Sequence, residues 1–257
     1  MANPHGAFVW YELMTSDLQA AEAFYRKVVG WTAQDSGMSD RTYTIVSAGA
    51  TPVGGLMSIP EEARKMGAGP AWLGYIGVPD VDASTAALKA AGGAVYRAPQ
   101  DIPGVGRFAV VADPQGATFM LFKGSAEHGP APAAPGTPGH VGWRELHAAD
   151  GAKAFAFYSA QFGWSKAEAM DMGARGVYQI FTTGADPVGG MMTKMPEQPV
   201  PAWLYYFNVE AVDAAVARVN EAGGKVINGP TEVPGGSWIV NCIDPQGALF
   251  ALVGAKR

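Results

Sequence analysis

The sequence predicts an α+β protein of two tandem modules, each with paired βαβββ units that form a curved mixed sheet around a cleft. Three observations predict this fold: an internal repeat, a proline-rich segment between the two copies, and the same order of strands and helices in both. A chain of 257 residues is long enough for two modules of roughly 120 residues that each bury a core.

The repeat is visible as WYEL at 10–13 and WREL at 143–146, an offset of 143 − 10 = 133. The offset of later pairs shifts, to 187 − 52 = 135 and then to 244 − 113 = 131, because of small insertions in loops. The other matching segments are Asp17 with Asp150, Phe24-Tyr25 with Phe157-Tyr158, Gly30-Trp31 with Gly163-Trp164, PVGG at 52–55 with 187–190, and DPQG at 113–116 with 244–247.

A linker separates the copies at 125–139, where the sequence reads SAEHGPAPAAPGTPG. Its prolines, glycines and small residues cannot bury much apolar area, so they favour a semi-extended connection. We therefore predict a first module at 1–124 and a second module at 140–257.

Each module begins with a strand and a helix. In the first module the strand is predicted at 8–14 and the helix at 17–29, which Gly30 caps at its carboxyl end. Three short strands follow, the clearest at 43–47 and 53–59. The second unit has a strand at 72–78, a helix from about Asp80 to Gly92, and strands at 95–98, 108–112 and 118–122.

The composition excludes several classes of partner. The net charge is −5 with acidic and basic residues interspersed, so no basic stripe favours nucleic acid or a membrane surface. No apolar stretch reaches the length of a membrane span. The lone Cys242 cannot form an internal disulfide and is predicted to be a buried strand thiol. We expect a cytoplasmic protein whose partner is a small molecule.

These motifs resemble the vicinal oxygen chelate superfamily, which contains glyoxalases, bleomycin resistance proteins and extradiol dioxygenases. The resemblance rests on Asp17 followed by Phe24-Tyr25 and Gly30-Trp31, on VPDVD at the start of the second helix, and on the DPQG turn. It covers nearly the whole chain. It implies that the two modules pair within the chain about a pseudo-twofold axis, as single-module relatives pair in a homodimer, so we expect a monomer or weak dimer.

The resemblance also implies six positions for metal ligands, where metal-using members carry His, Gln or Glu. In this chain those positions hold apolar or very weakly donating side chains, which do not coordinate a hard or borderline cation. We therefore predict no metal and no other cofactor. The six positions are Trp10, Leu73 and Met120 in the first module and Trp143, Leu204 and Ala251 in the second.

The candidate chemical groups lie on the first strand of each module. Strand alternation puts Glu12 on the cleft face of the first module, and Glu145 with His147 on that of the second. A carboxyl group among apolar side chains has its charged form disfavoured, which suits acid or base chemistry. The structural alternatives are a Glu that accepts hydrogen bonds from a facing strand or pairs with a cation such as Arg107, and a His147 that is only hydrogen-bonded.

Aromatic residues are predicted to form the ligand-binding walls, although they could equally fill the clefts as core. Two functions follow: binding of a small apolar or aromatic molecule without metal, or a metal-independent lyase, isomerase or hydrolase that uses Glu12 or Glu145 with His147. A metal-dependent dioxygenase is the weakest alternative. The predicted wall residues are Trp10, Tyr75 and Met120 in the first module and Trp143, Tyr206 and Asn208 in the second, with Tyr43 and Tyr178 as further candidates.

Overall fold

A computed structural model describes residues 5–38, 41–125 and 133–257. Residues 126–132 of the predicted linker lie outside the described part. The first repeat contains β1 Phe8–Thr15, α1 Leu18–Val29, β2 Thr32–Asp35, β3 Tyr43–Ala48, β4 Thr51–Ser58, α2 Glu61–Lys65, β5 Ala71–Gly77, α3 Val81–Ala90, β6 Ala94–Ile102, β7 Gly106–Ala112 and β8 Thr118–Gly124.

The second repeat has the same order, except that a short 3₁₀ turn, Gly173–Arg175, is inserted and no helix corresponds to α2 among its described residues. Its elements are β9 Val141–Ala148, α4 Gly151–Phe162, β10 Ser165–Asp171, β11 Val177–Thr182, β12 Pro187–Thr193, β13 Ala202–Asn208, α5 Val212–Glu221, β14 Lys225–Glu232, β15 Trp238–Ile243 and β16 Leu249–Gly254.

The strands form two eight-stranded mixed sheets, which confirms the predicted fold class. The strand order is β2-β3-β4-β1-β5-β8-β7-β6 in one sheet and β10-β11-β12-β9-β13-β16-β15-β14 in the other. Each sheet contains two βαβββ motifs. In each motif the first strand pairs in parallel with the last strand, and the other strand pairs within the motif are antiparallel. No helix in the described ranges is both long enough and apolar enough to cross a membrane.

Most element boundaries agree with the sequence to within a few residues. Helix α1 begins after Asp17, whose side chain accepts a hydrogen bond from the Ala20 amide, and it ends at Gly30 in the left-handed conformation with φ 87°. The sequence did not locate β2 or the short helix α2. Strand β6 runs four residues beyond its predicted end at 98.

The chain divides into two compact units that do not coincide with the two repeats. One unit consists of Met1–Trp10, Leu73–Pro130 and Trp143–Leu204, and the other of Tyr11–Trp72, Ala131–Gly142 and Tyr205–Arg257. Each unit therefore contains one half of each repeat. The core of a unit therefore contains side chains from both repeats, such as Phe24 against Phe250 and Phe119 against Tyr158.

In the unit that contains Tyr25, a buried hydrogen-bond chain joins the two repeats. The Trp72 indole donates to the Tyr25 hydroxyl over 2.9 Å, and that hydroxyl donates to Asp244 Oδ2 over 3.1 Å. Asp244 Oδ1 also accepts the amides of Gln246 and Ala248, which closes the DPQG turn. Burial raises the pKa of the Asp244 carboxyl, and these hydrogen bonds act in the opposite direction.

The other unit repeats this arrangement with the roles of the two repeats exchanged. Trp203 donates to the Tyr158 hydroxyl over 3.1 Å, and Tyr158 donates to Asp113 Oδ2 over 3.2 Å. Trp164 adds a second connection, since its indole donates to the Gly6 carbonyl over 2.7 Å. The Phe-Tyr, Gly-Trp and DPQG motifs therefore serve packing.

Candidate functional site

Strand β9 brings the predicted pair Glu145 and His147 together. These residues are two apart on the strand, so both side chains lie on one face. Glu145 Oε1 lies 2.6 Å from His147 Nε2. Both groups are mostly buried, with 12 % of the Glu145 side chain and 22 % of the His147 side chain exposed.

The second carboxylate oxygen of Glu145 is bound by Tyr178 of strand β11. The Tyr178 hydroxyl donates to Glu145 Oε2 over 2.8 Å, and it accepts the indole N–H of Trp143 over 2.7 Å. Trp143 is thereby fixed beside the pair. From the sequence, Tyr178 is only a further candidate for the ligand-binding wall, whereas in the structure it is a direct hydrogen-bond partner of the Glu145 carboxylate.

Gln198 holds His147 from the other side. Its Oε1 lies 2.7 Å from His147 Nδ1, and its backbone carbonyl accepts a hydrogen bond from Lys194 Nζ over 2.7 Å. Gln198 lies in the loop after β12 and matches no repeat motif. Because no pattern in the sequence connects this loop with β9, the sequence could not identify Gln198.

These contacts determine the protonation of His147. Burial lowers the pKa of its imidazole, but the hydrogen bond and charge of Glu145, with a smaller effect of Gln198, more than offset burial, so the pKa is raised. For Tyr178, burial and the nearby Glu145 charge raise the pKa of the phenol far above its ordinary range. The network thus favours an imidazolium next to a carboxylate, with a phenol that stays protonated.

The arrangement can store a proton between Glu145 and His147, but both imidazole nitrogens already have protein partners. His147 would have to release Glu145 or Gln198 before it could ligate a metal or take a proton from a substrate. As it stands, the network is a polar group of side chains beside the half-buried Trp143.

Glycines in the PVGG repeat make room for the tyrosine. Glu145 lies opposite Gly190 in the parallel register of β9 and β12, and a methyl group at Gly190 would overlap the Tyr178 ring. In the sequence, PVGG is visible as a repeat, but the packing role of its glycines is not. A glycine opposite a strand carboxylate leaves room for an aromatic ring to cover the carboxylate, so this pairing is the sequence signal for such packing.

The first repeat has the same framework without the histidine. Glu12 is buried and lies opposite Gly55, and a methyl group at Gly55 would overlap the Tyr43 ring. The position equivalent to His147 is Met14. Arg107, the cation suggested as a structural partner for a Glu, instead binds Asp82 over 2.6 Å and Asp101 over 2.9 Å.

The remaining predicted wall residues lie on the second halves of the two repeats, except for Trp10, which is half-buried on β1. Tyr75 and Met120 are buried neighbours in the register of β5 and β8. Tyr206 and Asn208 are buried on β13. Cys242 is buried as predicted, and burial raises the pKa of its thiol to about 12, so it is not an activated nucleophile.

The residues do not fit the divalent metal implied by the resemblance. Leu73, Leu204, Met120 and Ala251 are buried and apolar, and the Trp143 indole N–H is already donated to Tyr178. Within the described part of the chain, no group of three His, Cys, Asp or Glu residues could hold a metal ion. Tyr178 and Gln198 are the groups that converge on the Glu145–His147 pair.

Comparison with known proteins agrees with the tandem fold. The sequence model of the Glyoxalase/Bleomycin resistance protein/Dioxygenase superfamily matches residues 7–121 and 137–252. The anthracycline biosynthesis protein DauV of Streptomyces sp. strain C5 is 35 % identical over 96 % of this chain and 93 % of its own. CFP32 of Mycobacterium tuberculosis, provisionally named a glyoxylase, is 32 % identical over 95 % of this chain and 93 % of its own.

A similar solved structure is the Mn(II)-bound glyoxalase from Novosphingobium aromaticivorans. It has a TM-score of 0.67 and 16 % identity, and the match covers 100 % of this chain and 84 % of that one. At this identity the likeness concerns the fold.

Proposed function

Because this chain belongs to the Glyoxalase/Bleomycin resistance protein/Dioxygenase superfamily, we propose that it binds a small aromatic or apolar molecule without a metal ion. The second repeat carries the site, where Trp143 supplies an aromatic surface next to the Glu145–His147 network. The observation that carries this proposal is the internal pairing of that network. Its polar groups are held by Tyr178 and Gln198, so they do not need a metal to compensate them.

The relatives support an aromatic ligand. DauV is named for anthracycline biosynthesis, and anthracyclines are polycyclic aromatic molecules. An aromatic ring that stacks on an indole gains contact area together with a favourable quadrupole interaction. We further propose that the protein is a cytoplasmic monomer or weak dimer.

Calorimetric titration with an anthracycline and with 2-naphthol tests the proposal, using protein treated with a chelator and then dialysed. We expect binding to survive the chelator, and Trp143→Ala to weaken it about tenfold or more through loss of stacking area. Trp10→Ala, at the equivalent place in the first repeat, is the matched control and should bind like the parent. Binding that disappears with the chelator and returns with added Mn²⁺ or Zn²⁺ would contradict the metal-free proposal.

A second candidate function is acid or base catalysis by the same pair, as in a lyase, isomerase or hydrolase. The 2.6 Å contact between Glu145 Oε1 and His147 Nε2 favours it, because a proton is held between the two groups, and the raised pKa of His147 agrees with this. Glu145→Gln would abolish turnover in this case, whereas a purely binding protein would keep most of its affinity. Any step would begin with rotation of His147 away from Gln198 or Glu145.

A further inference from the structure

The groove between two packed helices is bridged in one compact unit and open in the other. The unit that contains Tyr25 packs α1 beside α5, and the unit that contains Tyr158 packs α4 beside α3. Helix α4 is the counterpart of α1 at an offset of 151 − 18 = 133, and α5 is that of α3 at 212 − 81 = 131. Each position of one helix pair therefore has an equivalent in the other.

Charged side chains bridge the groove between α1 and α5. Arg218 of α5 donates two hydrogen bonds to the Val28 carbonyl, from Nε over 3.1 Å and from Nη2 over 2.9 Å. Lys27 Nζ of α1 lies 3.1 Å from Glu221 Oε2 of α5. Phe24, one turn before Val28, is only 2 % exposed. The last turn of α1 is therefore covered and its carbonyl is satisfied.

None of these bridges exists between α3 and α4. The counterparts of Arg218, Lys27 and Glu221 are the exposed residues Ala87, Ala160 and Ala90. A cavity of about 460 Å³ opens there, and Phe157, Ala160 and Gln161 of α4 line it together with Ala91 and Pro114. Its volume lies in the range of small-molecule sites, and Phe157, the counterpart of Phe24, is half-buried in its wall.

The end of α4 offers this cavity a hydrogen-bond acceptor. Gln161 is the counterpart of Val28, and the last carbonyls of a helix have no partner within the helix. Among the described residues, no side chain donates to the Gln161 carbonyl. The last turn of α1 has two basic residues, whereas that of α4 has none. Because a helix carries partial negative charge at its carboxyl end, the end of α4 favours a cation.

We propose that the cavity between α3 and α4 is a second small-molecule site, and that it takes an organic cation with an apolar body, such as an aromatic amidine, guanidine or amine. The cation donates to the Gln161 carbonyl as Arg218 donates to Val28 in the other unit, and the apolar body lies against Phe157. This inference does not depend on the proposed function, because the cavity shares no residue with the network on β9.

Lys153 also lines the cavity, and its charge opposes a cation nearby. Its ammonium lies 3.2 Å from Asp150 Oδ2, and 82 % of its side chain is exposed, so solvent and the carboxylate screen its charge. Lys153 and Gln161 are separated by 161 − 153 = 8 residues. This separation is about 12 Å along the helix axis. The cation therefore binds at the end of the cavity remote from Lys153.

Three benzene derivatives of nearly equal size test this inference by calorimetry: cationic benzamidine, neutral benzamide and anionic benzoate. Benzamidine presents planar N–H groups, as the Arg218 guanidinium does. We expect one equivalent of benzamidine to bind the parent protein about tenfold more tightly than benzamide, as a charge-assisted hydrogen bond allows. Benzoate should bind more weakly than benzamide, because the end of α4 repels an anion.

Two variants at exposed positions install the bridging residues of the other unit. Ala87→Arg should abolish benzamidine binding and raise the melting temperature, because its guanidinium occupies the groove and reaches the Gln161 carbonyl. Ala160→Lys, the counterpart of Lys27, should also block the cavity. The matched control is Ala86→Arg, which adds the same charge about 100° around α3 and should bind benzamidine like the parent.

The outcomes separate this inference from the proposed function. Absent benzamidine binding, or equal affinity for benzamidine and benzamide, contradicts the inference. Tighter binding of benzoate would assign the cavity to an anion beside Lys153 and would also overturn it. Benzamidine binding that persists in both Ala87→Arg and Ala160→Lys would place the cation elsewhere. If the parent binds benzamidine as expected but not 2-naphthol, the proposed function fails and this inference stands.

Discussion

Replacement of Glu145 by Gln tests whether the contact with His147 is an ion pair. Gln keeps the shape of Glu, its oxygen can accept the Tyr178 hydroxyl, and its amide nitrogen can donate to Nε2 of a neutral His147 but not to that of an imidazolium. The pattern of hydrogen bonds can therefore survive only with His147 neutral, once the negative charge is lost. A change in the free energy of unfolding then measures the contribution of the Glu145 negative charge.

The structure sets the size of the effect. Both side chains are mostly buried and their atoms are 2.6 Å apart, so solvent screens the contact only partly. A hydrogen bond to a charged group contributes about 1.5–3 kcal/mol and a neutral one about 0.5–1.5 kcal/mol. The exchange should cost about 1–2 kcal/mol at a pH where His147 is protonated in the parent and neutral in the variant, or roughly 2–8 °C in melting temperature for a chain of this size.

The pH dependence follows from the raised pKa of His147, whose ordinary value is 6.5. A group whose pKa is higher in the folded state stabilises fully below its unfolded pKa, and it loses this effect as the pH rises through the folded pKa. Glu145→Gln should therefore be less stable than the parent at about pH 6, and equally or more stable at about pH 9.

Thermal unfolding at these two pH values measures the effect, and Glu12→Gln is the matched control. The first repeat has Met14 in place of His147, so the control should show no reversal between the two pH values. If Glu145→Gln has the same deficit at both values, His147 is not charged in the folded protein and the ion-pair reasoning is wrong.

Three further predictions concern the framework. Tyr158→Phe should lower the free energy of unfolding by about 1–3 kcal/mol in urea, because buried Asp113 loses a donor; an unchanged value would show that water replaces the hydroxyl. Gly190→Ala should displace the Tyr178 ring and destabilise by about 1–3 kcal/mol, with altered Trp fluorescence; an unaltered spectrum would contradict the packing. Residues 1–124 alone should lack a stable monomeric fold by circular dichroism and light scattering, and a cooperative monomer would refute this.

Much of the fold could be predicted because local signals and the repeat agree. The N-cap Asp17 and the C-cap Gly30 mark a helix by the backbone geometry that these residues favour, and both caps are present. Strand β2 could not be located, since Thr32–Asp35 is short and mostly exposed and has no apolar alternation. The division into units that mix the repeats was also beyond the sequence, because it depends on which faces pack together.

The candidate site could be predicted only where it depends on strand alternation. Spacing by two residues put Glu145 and His147 on one face, and the structure brings them into contact. Gln198 reaches the pair from a loop, whose path depends on tertiary packing rather than on a periodic pattern.

A comparison of the two repeats distinguishes the residues that the fold requires, which both repeats share, from the positions at which the repeats differ. The shared Tyr25 and Tyr158 each donate to a buried Asp of the other repeat, so loss of either hydroxyl would remove the side-chain donor to one oxygen of a buried carboxylate. Such positions are constrained by folding whatever the ligand is. The position of Met14 and His147 lies outside this shared framework. A duplicated module can change such a side chain while the framework stays intact, and in this chain the change gives only the second repeat a histidine beside the glutamate of its first strand.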